Sequence, residues 1–183
     1  MPGYDKDGGK GDNGRQEVDM DTYGNRHEDA MVVLSATRGV ITRGWVQHSW
    51  YLTETKSGPR RFPQRFFPAR LDRSQVVAAC LVGGVMQGAW QVSPKPEYAC
   101  PAIDALWRTL FDASTAGGAD PVGPPVPPIV RAARVRDLTT WNDRPYRTAD
   151  DVVRLLDLAT ARVTSQRTSG PVPQRHLTPV VQR

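Results

Sequence analysis

The chain has 183 residues, with Lys+Arg 24 against Asp+Glu 19 and a formal net charge of +5. That length allows one ordinary domain with a real core, and the mild basic excess permits contact with nucleic acid or acidic lipid without requiring it. No apolar run is long enough to span a bilayer, and Met1 is followed by charged and glycine-rich residues, so the expectation is a cytoplasmic protein with no membrane partner.

Residues 1–24 hold hardly an apolar side chain and are expected to be disordered. Lys10-Gly11 does not make a phosphate loop, because the Gly-x-x-x-x-Gly-Lys-Ser/Thr pattern and a preceding strand are both missing. The first helix is read from Asn25 as cap, with Glu28 at the box position and a stripe of Ala30, Val33, Leu34, Thr37 and Ile41. Gly44 closes it as a residue free to turn left-handed. The aromatic run Trp45 to Leu52 fits a short helix or a strand equally well, and its Trp45, Trp50 and Tyr51 offer a surface for a protein partner. His48 reads as a half-buried residue with a hydrogen-bond partner, since no second ionisable group sits at a readable spacing.

Residues 54–73 change character, interleaving Arg60, Arg61, Arg65 and Arg70 with Phe62, Phe66 and Phe67 and three prolines. The prolines argue for a loop, and arginine beside aromatics is the composition that grips phosphates and stacks bases. The plainer reading is a surface loop pinned by its phenylalanines with the arginines in water.

Asp72 then reads as the cap of a helix running to about Gly88, central because it is apolar nearly all round. Ala79, Cys80, Gly83 and Gly84 give it a face of small side chains that a neighbour can approach closely. Cys80 is the candidate nucleophile, with His48 as base and Asn142 or Asp143 as orienting group. A thiol placed mid-helix among Val, Ala and Leu is better read as inert. Cys80 and Cys100 are expected as two thiols rather than a disulfide. Three histidines without C-x-x-C or H-x-x-x-H spacing give no support for a metal, and no cofactor is implied.

Pro101 suits the first position of a helix with Ile103, Leu106, Trp107 and Leu110 on one face. Residues 114–128 read as a Pro-rich surface loop, with Pro121, Pro124, Pro125, Pro127 and Pro128 favouring extended chain. Ile129 to Leu138 fits a short helix with Val130, Ala133 and Leu138 inward; Arg131, Arg134 and Arg136 add to the basic loop only if the two segments share a face, which the sequence leaves open. In Trp141-Asn142-Asp143 the indole is expected to plug the core and the two polar side chains to bond nearby backbone N–H groups in a turn. Thr148 and Asp151 form a capping box for a helix to about Val163, with Val152, Leu155, Leu156, Ala159 and Val163 as its stripe. Residues 165–183 read as a second disordered tail.

Three short stretches in this order resemble domain-of-unknown-function family 6197, an uncharacterised group of small proteins from high-GC Gram-positive bacteria and their phages. They are Arg43-Gly44-Trp45-Val46-Gln47, Cys80-Leu81-Val82-Gly83-Gly84 and Trp141-Asn142-Asp143-Arg144-Pro145-Tyr146-Arg147-Thr148. The family pattern has Cys where Val46 stands and Gly-Ala where His48-Ser49 stand, and both are absent here. The resemblance implies a compact helical domain and no particular chemistry.

The expectation is therefore an all-α bundle of four or five short helices over residues 25–164, of unread oligomeric state. The leading function is a non-enzymatic accessory or binding protein touching nucleic acid through Arg60, Arg61, Arg65, Arg70 and Phe66. The alternatives are a small hydrolase or transferase using Cys80, His48 and Asp143, and a protein-interaction module.

Overall fold

A computed structural model of the chain describes residues 20–65, 71–112 and 119–169. The sites named at Phe66, Phe67 and Arg70 lie outside these residues, as do residues 1–19 and 170–183 of the two expected tails. Of those tails, Met20 to Gly24 and residues 165–169 are helical rather than disordered.

The stripe read from the sequence organises helix α1 (Met20–Arg43): Ala30, Val33, Leu34, Thr37 and Ile41 are all buried. The helix begins before Asn25, which is interior to it. It packs against α2 (Leu81–Val92), α3 (Cys100–Phe111) and α5 (Ala149–Ser169), so α1 is the hub of the domain. A fifth helix, α4 (Pro128–Asn142), packs on α3.

The all-α expectation is wrong. A three-stranded antiparallel sheet stands at one end of α1 and α2, built from β1 (Ser49–Thr55), β2 (Gly58–Pro63) and β3 (Val76–Ala79) in the order β2-β1-β3. Two of its strands come from the expected basic loop and from the expected first turns of the Cys80 helix. The hairpin closes because Gly58 takes φ 103, open to a residue without Cβ, and Thr55 Oγ1 donates to Gly58 O at 2.7 Å. Tyr51 pairs with both Phe62 and Ala79 and is buried, which ties the sheet to the core. Asp72 caps a single 3-10 turn, Arg73–Gln75, by accepting from Ser74 N at 3.1 Å, and the chain then extends.

Small residues on α2 do admit a close neighbour. An added Cβ would meet Ile41 Cδ1 at 2.9 Å from Gly84 and Thr37 N at 2.8 Å from Gly88, so α1 lies in this groove. At Gly83 the Cβ would collide with the carbonyl of Trp50, which brings β1 equally close. Gly44 has the same reason to lack a side chain: its neighbours are Val77 O and Ala78, and no left-handed turn is involved.

Residues 119–127 are less of a free loop than proline content implied. Pro121, Val122 and Gly123 are buried, and His27 Nε2 bonds Asp120 Oδ1 at 2.9 Å across 93 residues. Trp50 and Tyr51 are buried and Trp45 half-buried, so the aromatic surface proposed for a partner is part of the core.

Replacing Gly83 by Ala should destabilise the protein by about 2–4 kcal/mol in urea unfolding, because the obstacle is backbone and cannot swing away. The capping box is present: Asp151 N donates to Thr148 Oγ1 at 3.2 Å and Thr148 N to Asp151 Oδ2 at 3.1 Å. Thr148→Ala should cost about 1 kcal/mol by the same measurement. Hydrogen bonds from Thr148 hold the Asp151 carboxyl below its ordinary 3.8. Its contribution is thus complete above that value, lost as pH falls through the lower folded value, and absent from the pH profile of Asp151→Asn.

Candidate functional site

Asn142 ends α4 with its side chain fully buried. Its Oδ1 accepts from Trp45 Nε1 at 2.8 Å and from Leu81 N at 3.0 Å. Its Nδ2 donates to Asp143 Oδ1 at 2.8 Å and to Val46 O at 3.4 Å. Gln47 completes the junction by donating to Asn142 O at 2.9 Å and Arg144 O at 3.1 Å, filling carbonyls that the end of α4 leaves free. The three stretches singled out in the sequence therefore meet at one amide. The bonds expected of Asn142 and Asp143 are made, but to chain 60 to 100 residues away rather than within their own turn.

Asp143 holds the next corner. Its Oδ1 accepts from His48 N at 3.0 Å, and its Oδ2 lies 3.4 Å from His48 Nδ1. His48 needs this support because its φ is 59, a region costly to residues with a Cβ. Its ring is exposed rather than half-buried, with 74% of the side chain accessible. The ionisable partner that no sequence spacing revealed is Asp143. Beyond the turn, Tyr146 is also left-handed at φ 67 and almost wholly exposed, while Arg147 stacks 4.0 Å over the Trp141 ring.

Cys80 is not mid-helix. It is the N-cap of α2, where its Sγ accepts from Gly83 N at 3.3 Å. A helix N-terminus ordinarily favours a thiolate. Here burial dominates: with no accessible surface, and with the nearby Asp143 carboxylate also raising it against the Gly83 N–H and Gln64 side chain, the thiol is pushed up to about 12. Cys80, Asp143 and His48 thus lie in sequence along one corner, with the thiol sealed and protonated at neutral pH. Cys100 is half-buried and free, and burial raises its thiol too.

The basic residues separate into two groups. Arg60, Arg61 and Arg65 are exposed on or just after β2, Lys56 is exposed at the hairpin tip, and Arg60 lies 4.9 Å over the half-buried Phe62 ring. Arg131 and Arg134 do not join them. Both turn inward to Asp104, at 3.5 Å and 2.7 Å, and Arg134 is buried. Arg136 is exposed beside Asp137. Sequence reasoning missed Asp104, Gln47 and the Arg26 contact to Asp104 at 3.2 Å. A carboxylate on the apolar face of α3, between Ile103 and Leu106, was the only local signal of it.

These features define a small mixed α/β domain clamped at a Trp-Asn-Asp turn. The chain belongs to DUF6197, a family of unknown function whose sequence profile matches residues 25–162. No curated protein and no solved structure matches it. Among the described residues no helix is long and apolar enough to cross a membrane.

Asn142→Ala would orphan two buried donors at once, so a loss of about 3 kcal/mol or more is expected in urea unfolding. Iodoacetamide at neutral pH should leave Cys80 unmodified in the native protein and modify it after denaturation, read by peptide mass; rapid native labelling would contradict the sealed thiol.

Proposed function

We propose that this protein is a non-enzymatic binding protein whose β1–β2 hairpin engages nucleic acid through phosphate contacts. One observation carries the reading: four cations without an ion pair, Lys56, Arg60, Arg61 and Arg65, stand close together on and beside that hairpin, whereas Arg43, Arg73, Lys95 and Arg144 are scattered singly along the chain. Among the described residues Lys56, Arg60, Arg61 and Arg65 make no ion pair with a carboxylate. Most arginines of the helices do, as with Arg38 to Asp157, Arg108 to Asp112 and Arg154 to Asp151. Glu54 is the one acid on the two strands. A net charge of +5 spread evenly would say little, but cations grouped at one hairpin make a local field that attracts a polyanion.

The shape supports this use. β2 is the outer strand of the sheet, so its arginines face outward without a neighbouring strand, and their guanidinium forks match phosphate oxygens. Burial of Cys80 counts against the hydrolase or transferase alternative, because a buried protonated thiol offers neither a nucleophile nor room for a substrate.

Binding to mixed single- and double-stranded oligonucleotides should weaken steeply as salt rises. Changing Arg60, Arg61 and Arg65 together to Ala should reduce the slope of log K against log salt by about 2 to 3, near 0.9 for each phosphate that is no longer neutralised. An unchanged slope would remove the hairpin from the interface.

A further inference from the structure

Helices α3 and α4 run parallel. Arg134 Nη1 donates to Asp104 Oδ1 at 2.7 Å and Trp107 Nε1 donates to Asp137 Oδ2 at 2.9 Å. Both pairs are offset by 30 residues and advance three residues along each helix, a step that antiparallel helices cannot make. Their N-terminal ends therefore face the same way. The α4 end carries no side-chain cap and adds partial positive charge there, while α3 continues a 3-10 turn, Pro96–Ala99, whose Glu97 O already takes the Cys100 N–H.

Three guanidinium groups converge close to the same end on a single carboxylate. Asp104 has no exposed surface and receives Arg134 at 2.7 Å, Arg26 at 3.2 Å and Arg131 at 3.5 Å. In direct contact three guanidinium groups share one carboxylate, while Asp29 and Glu97 stand near enough to act on Arg26 and on the adjoining Cys100. The Nε atoms of Arg26, Arg131 and Arg134 are all buried without an acceptor. Such donors are costly to leave unmade, and more so on charged groups. Arg134 lies deepest, its side chain 9% exposed and its guanidinium 4.7 Å over the Trp107 ring. Arg26 and Arg131 reach the surface, at 12% and 21%.

We propose that Arg26, Arg131 and Arg134 form a binding site for a tetrahedral oxyanion of the phosphate class, seated at the shared N-terminal end of α3 and α4. Asp104 orients the forks, and the bound oxyanion supplies acceptors for donors that one carboxylate leaves unmade. Free phosphate, a phosphate monoester and a backbone phosphodiester share this chemistry. The site shares no residue with the hairpin and stands or falls apart from it.

The test is calorimetric titration of the full chain with inorganic phosphate, against sodium chloride of equal ionic strength. Saturable phosphate binding is expected, weakened about tenfold or more by Arg131→Gln and unaffected by the triple Ala change at Arg60, Arg61 and Arg65. Arg131 makes the longest of the three contacts, so Asp104 keeps two partners in that variant. Should it fail to fold, Arg131→Lys keeps the charge without the fork and is expected to bind phosphate more weakly than the native chain. A short oligonucleotide without terminal phosphates that displaces phosphate would assign the oxyanion to a nucleic-acid backbone; one that does not would assign it to a free phosphate or monoester. No saturable binding beyond chloride, or affinity undiminished in the folded Arg131 variant, overturns the proposal.

Discussion

The amide of Asn142 is the constraint on which the arrangement of the domain depends. An amide offers an acceptor at one end and donors at the other, and here the oxygen faces two donors, the Trp45 indole and the Leu81 N–H. Those two groups belong to the chain leaving α1 and to the first turn of α2, while Asn142 itself ends α4. One side chain therefore fixes the relative positions of three elements, and it does so in a buried setting where a missing bond is expensive. Aspartate could not replace it without placing a charge there, and an apolar residue of the same volume would satisfy none of its partners.

Local pattern makes the helices legible. The stripes of α1 and α5, the Thr148–Asp151 box and the close approach at Gly83 and Gly84 all follow from residues within a turn or two of each other. The sheet is hidden because β2 carries Pro59 and Pro63, which read as breakers, and because Val76 to Ala79 continue without punctuation into the apolar start of α2. The one hint of it lies in Tyr51, Thr53 and Thr55, alternating toward Gly58. The site is legible as residues but not as geometry. Asn142 reads as a polar residue in need of partners, but its partners lie 61 and 97 positions away. Cys80 reads as interior to a helix because nothing local shows that the chain turns there, one residue after a strand ends.

Charge carries the other half of the organisation. Arginines that look interchangeable in the sequence are divided by the fold into structural cations and free ones. Arg134 stacks on Trp107 and grips Asp104, whereas Arg61 stands in solvent opposite Leu52. The same division explains why a modest total charge can coexist with a strongly basic ribbon: the acids are taken up by the helices.

The outer position of β2 limits how other chains can meet this sheet. An exposed edge invites a further strand, yet Pro59 and Pro63 lack the N–H groups that a new ladder would require, and exposed arginines stand between them. Copies of the protein are thereby discouraged from pairing edge to edge along β2. What this flank offers to its surroundings is side chains and charge rather than a free ladder of backbone hydrogen bonds.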